Sequence, residues 1–188
     1  MDNPATSTAT RWWLPALAFG ALFCGFALAL WVSLPPPPAM MLASAVLGVL
    51  LATLSAIDVR VYRLPDLLTL PLLLVGLAAV WMLDLAPLWW RIVSAAIGWG
   101  LMAAIAALYE RARGTAGLGL GDAKLVGAGA AWIGGEGIPT LLLVGAVSAL
   151  LVVGVARLAG RRIDRTTRVP FGPFLAFGIW FVWLLGPL

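Results

Sequence analysis

Eight acidic side chains and not one histidine occur among the 188 residues, so acid–base chemistry here belongs to carboxylates, hydroxyls and lysine. Mechanisms built on imidazole, serine–histidine dyads and HExxH zinc sites among them, are excluded. The single cysteine, Cys24, lies inside an apolar run and reads as a packing residue; one thiol makes neither an intramolecular disulfide nor a cysteine-rich metal cluster. Among the acids, Asp2 and Asp164 fall in a tail and a loop. Asp84 and Glu136 have no partner carboxylate evident in sequence, and Glu110 adjoins Arg111 and Arg113 as a solvated ion pair would. Asp58, Asp66 and Asp122 remain as candidates.

Asp58 closes one apolar run and Asp122 opens another. Two aspartates facing each other across about 3 Å cannot both ionise, so they share a proton, one acting as base toward a water and the other as acid toward a carbonyl. Such a dyad hydrolyses amides with no metal, cofactor or covalent intermediate. A competing reading pairs each aspartate with a neighbouring cation, Arg60 and Lys124 being the obvious choices, and the spacing leaves both open. Asp66, in Leu64-Pro65-Asp66-Leu67-Leu68-Thr69, is placed as a helix N-terminal residue is, its side chain accepting from free backbone amides; the expected role is structural. The glycines at 117, 119 and 121 directly before Asp122 predict a loop able to approach an extended peptide closely, whereas Gly127 with Ala131 fits helix packing.

These residues must be held by helices in a bilayer. The chain is 63% hydrophobic and 11% charged, against about 25% charged in soluble domains, and its mean hydropathy is +1.04. Apolar runs at 12–34, 39–57, 67–86, 88–109, 123–135, 138–158 and 171–187 predict an all-α, polytopic membrane bundle of about seven helices, with six to eight allowed and the fifth short enough to be tilted or partly sunken. Pro35 to Pro38 read as a stiff link between the first two runs. Alternating the seven spans places eleven of the twelve positive residues on one face, with only Arg91 opposite. By the positive-inside bias that face, and the N-terminus, are cytoplasmic, and Asp58 and Asp122 lie at the same cytoplasmic edge. The run at 12–34 is too long and too poor in leading charge for a cleaved signal peptide, despite Ala27-Leu28-Ala29. The net charge of +4, concentrated between Arg157 and Arg168, reads as a topology record rather than a nucleic-acid patch.

Three segments, Asp58 to Leu72, Gly119 to Leu125 and Pro170-Phe171-Gly172-Pro173-Phe174-Leu175-Ala176-Phe177-Gly178, resemble in order the signatures of the type IV prepilin peptidases, GxGD-type intramembrane aspartyl proteases. The resemblance runs from about residue 45 to the C-terminus. It implies an aspartic endopeptidase that cuts the short basic leader from type IV prepilins or pseudopilins, after a glycine and before their hydrophobic helix, at the cytoplasmic face of the inner membrane. It also implies catalytic roles for Asp58 and Asp122. Asp66 and Pro65 of the LPD element, with Gly117, Gly119 and Gly121, are supporting residues, and Lys124 sets local charge or meets the substrate.

Long members carry an N-terminal cysteine-rich element linked to N-methylation. With Cys24 inside an apolar run, the expectation is a short, peptidase-only form: one domain over 1–188, its core at 45–188 preceded by an extra helix at 12–34. Such forms serve tight-adherence pili and some secretion systems. Two rivals are a small proton- or cation-coupled transporter, which calls for midplane carboxylates and an internal repeat, and an idle pilus or secretion scaffold, which would tolerate loss of either aspartate.

Overall fold

The computed structural model describes residues 37–114, 119–160 and 169–187. Six α-helices follow in order: α1 (Pro38–Val61), α2 (Asp66–Met82), α3 (Leu88–Arg113), α4 (Leu120–Ile133), α5 (Ile138–Leu158) and α6 (Gly172–Leu185). A short 3₁₀ turn (Gly135–Gly137) joins α4 to α5. They correspond one for one to the last six predicted runs. The run at 12–34 lies outside the described residues, as do Cys24, Pro35 and Pro36. Three stretches, Pro38–Val61, Leu88–Ala112 and Gly135–Leu158, are long and apolar enough to cross a membrane by length and composition; α2 and α6 are shorter apolar helices.

Helix ends follow local chemistry. Proline stands at the N-cap of α1, α2 and α3, and again in the first turn of α6, where a missing N–H costs no helical hydrogen bond. α3 stops at Gly114 and α4 at Gly134, both with positive φ. α1 runs four residues beyond its predicted end, past Asp58, and stops where Tyr62 takes a left-handed conformation and its N–H bonds to the Asp58 carbonyl at 2.8 Å.

The contacts divide the chain into two units, Pro37–Ala146 with Pro170–Leu188, and Met1–Pro36 with Val147–Val169. In the second, the described residues comprise the C-terminal half of α5 and its turn to Gly160.

In the first unit α4 is the centre. All ten residues from Ala123 to Ile133 other than Lys124 are buried, and α3, α2 and α6 pack around them. The short predicted fifth run is therefore a sunken helix, apolar all round because it is covered all round. Its small residues set the spacing. A Cβ on Gly127 would lie 2.9 Å from the Trp99 Cβ and 3.1 Å from the Ala95 carbonyl, and one on Gly129 would collide with Ile179. Gly127 is thus a packing residue, as expected. Fully buried Trp132 donates its indole N–H to the Leu72 carbonyl at 2.8 Å and stacks edge-on with Trp183 at 5.3 Å. Trp183 in turn donates to Ser44 Oγ at 2.7 Å, so α1, α2, α4 and α6 are tied by polar links inside an apolar core.

Candidate active site

Asp58 sits in the last complete turn of α1 and is only 5% exposed. Its Oδ2 accepts a hydrogen bond from the Gly172 backbone N–H at 2.9 Å. Gly172 opens α6, so a helix N-terminus with its free amides faces the carboxylate. A larger residue there would have to displace the carboxylate. A Cβ on Gly172 would stand 2.7 Å from that same oxygen and 3.0 Å from the Asp58 Cγ.

Asp122 is the third residue of α4, with Gly119 at the N-cap. The Asp122 N–H donates to the Gly119 carbonyl at 3.0 Å. Asp122 is half-buried and close enough to Asp58 for the two charges to act on each other. The two aspartates are thus brought together from α1 and α4.

The glycines before Asp122 divide. Gly117 lies outside the described residues. Gly119 is extended backbone at the helix entry. Gly121, expected in a loop, is instead in the first turn of α4, where glycine is tolerated because the first amides have no intrahelical acceptor. Its role is clearance: a Cβ there would lie 3.1 Å from the Cβ of Leu64. Leu64, buried in the α1–α2 link, can therefore seat against the start of α4 and hold the end of α1 beside it.

Asp66 begins α2 as expected, but the N-cap is Pro65 and no side chain makes a capping bond. Its carboxylate instead pairs with Lys124 Nζ at 2.6 Å, joining α2 to α4 at a site where both side chains are substantially exposed. The physical reason is reach: Asp66 points across to the neighbouring helix, where a full positive charge outcompetes its own first-turn amides. This pair also decides the reading in which Lys124 neutralises Asp122, since Lys124 is held by Asp66. Arg60 is exposed and makes no ion pair with Asp58 among the described residues.

Two carboxylates, Asp58 steadied by the Gly172 amide and neither paired with a cation among the described residues, can share one proton and polarise one water. A family model, described as the type IV leader peptidase family, matches residues 45–154. The chain belongs to the type IV leader peptidase family. It is 41% identical over 174 residues to a prepilin leader peptidase/N-methyltransferase of Burkholderia pseudomallei (strain K96243), covering 92% of this chain and 54% of that one. Proteins of the same name are 38% identical in Xanthomonas campestris pv. campestris, over 75% of this chain and 49% of theirs, and 37% identical in Escherichia coli (strain K12), over 67% and 55%. The chain spans about half the length of the curated relatives it matches. No solved structure matches it. With three apolar helices of spanning length, this family member is a helical membrane protein.

The matched segment holds Asp58, Asp66, Asp122 and Lys124 but ends before Gly172. Sequence reasoning assigned Gly172 no role of its own; the available signal was a glycine set between Pro170, Phe171 and Pro173, too small for packing and beside two chain-stiffening residues.

Proposed function

We propose that this chain is an aspartyl endopeptidase that removes the basic leader from type IV prepilin or pseudopilin precursors, with Asp58 and Asp122 as its catalytic pair. The observation that supports this reading is the seating of Leu64, just past the end of the Asp58 helix, against Gly121 beside Asp122, while Lys124 is engaged by Asp66. The relatives' name supplies the substrate class.

In this mechanism the ionised aspartate takes a proton from water as its oxygen attacks the scissile carbonyl carbon. The protonated aspartate gives its proton to the carbonyl oxygen, and the tetrahedral intermediate expels the leaving nitrogen with a proton returned to it. Gly172 holds one oxygen of Asp58 from behind, leaving the other for water or carbonyl. Seven spans with a cytoplasmic N-terminus put this pair at the cytoplasmic edge of the inner membrane, a topology supported by the eleven-to-one distribution of positive charge.

The test is co-expression with a precursor from the same host, following its mobility. Wild type shortens the precursor; Asp58→Ala and Asp122→Ala do not. A single mutant that still cuts as wild type removes the dyad assignment.

A further inference from the structure

Beside the aspartates, and sharing neither of them, lies a groove of about 510 Å³. Its walls are one face of α2, carrying Leu70, Leu73 and Leu77, and the facing stretch of α3, carrying Ile92, Ala96 and Trp99. Its floor is α4 at Gly127 and Ala128. Both walls pack on α4 far more than on each other, which leaves the cleft between them open along its length. From Asp66 to Leu77 the α2 wall rises about 16 Å at 1.5 Å per residue, or three helical turns.

The groove is polar at one end only. Asp66 and Lys124 are its sole charged residues, and Lys124 is two positions along α4 from Asp122. We infer that this groove seats the apolar helix of the precursor, the one directly following the scissile bond, with the leader junction at the Asp66–Lys124 end. This rests on the prepilin-peptidase reading above. Charge argues for that occupant and orientation. A basic leader joined to an apolar helix matches a cleft that is apolar along its walls and ends in the exposed carboxylate of Asp66, 71% accessible beside its lysine. A leader cation can share Asp66 with Lys124, and a chain leaving the groove there has the first turn of α4 to round before it meets Asp122, which points from a different face of that helix. The alanines on wall and floor let a helix backbone come close, as helix pairs in lipid require.

Site-directed cross-linking in the full-length protein tests this. In a Cys24→Ser, Asp122→Ala background that keeps the precursor uncut, Leu73→Cys and Ile92→Cys are compared with Val49→Cys and Leu143→Cys, which are exposed outside the groove. The precursor carries one cysteine in the second turn of its apolar helix. Groove positions are expected to couple at least fivefold more than the outside ones; equal coupling, or preference for the outside, overturns the assignment and leaves the groove to lipid. In the otherwise wild-type enzyme, Ala96→Phe, which fills the groove, is expected to lower kcat/KM for the precursor at least tenfold, with Leu143→Phe within twofold of wild type. Unimpaired cleavage by Ala96→Phe overturns the assignment as well, and the cross-links judge it independently should that variant fold poorly. Failure of wild type to cut any host precursor, with groove cross-links formed, would instead remove the peptidase reading.

Discussion

The two ends of α4 treat charge in opposite ways. At its start, half-buried Asp122 is brought near buried Asp58, like charge toward like. At its end, buried Arg91 of α3 and Glu136 of the 3₁₀ turn attract each other above Gly134, and Trp90 donates its indole N–H to Glu136 Oε2 at 3.2 Å. The second arrangement has a visible electrostatic gain for the fold, opposite charges and a tryptophan donor on one turn, even though Arg91 Nε and Nη1 are buried with no hydrogen-bond partner among the described residues. The first has no such gain. Two neighbouring carboxylates repel whenever both are ionised, and the Gly172 hydrogen bond and the Gly121–Leu64 contact hold the segments that carry them. Such an arrangement is what the proposed catalytic pair requires.

The largest expected effect is at the start of α4. Asp58→Ala or Asp122→Ala should reduce precursor cleavage by roughly 10³-fold or more, the scale of general acid–base catalysis. Thermal unfolding in detergent should stay the same or move upward, because a like charge has been removed; a marked fall would mean that these aspartates serve the fold. Next comes Gly172→Ala. Its methyl group displaces the Asp58 carboxylate, and a shift of about 1 Å in a reacting group costs on the order of 10²-fold in rate, so cleavage assays should show a loss of about 10- to 100-fold with the helical signal retained.

At the other end the balance reverses. Gly134 holds φ +82 and ψ 168, a region essentially confined to glycine. Gly134→Ala should destabilise the protein by about 1–3 kcal/mol in denaturant unfolding while cleavage per folded molecule is unchanged. A specific loss of turnover there would erase the distinction between the two ends. The smallest effect belongs to the exposed pair: Lys124→Gln should change stability by less than about 1 kcal/mol, as solvated ion pairs do, and raising salt in the unfolding assay should shrink even that difference.

Much of this was legible beforehand, for local reasons. Apolar runs announce helices because backbone polar groups in a bilayer must be satisfied within the segment. Proline marks four of the starts. Asp58 and Asp122 stood out because carboxylates at the ends of apolar runs are costly without a purpose. What was misread turns on side-chain direction. Gly121 was expected in a loop because three glycines in five residues look unlike a helix, yet the first turn tolerates glycine and Leu64 requires it. Asp66 was expected to cap its own helix, and it reaches Lys124 instead.

Composition by itself determined that this chain is apolar and helical, and that any acid–base chemistry it performs is done without imidazole. Spacing determined the order of helices and narrowed the candidate carboxylates to Asp58, Asp66 and Asp122. Only the tertiary structure decided which charge meets which. Asp66 and Lys124 are 58 positions apart, and Asp58 and Gly172 are 114 apart. Periodicity reports which face of a helix is apolar. It carries no information on the neighbour that face will meet, because that choice is made by the packing of α2, α3 and α6 around the small residues of α4.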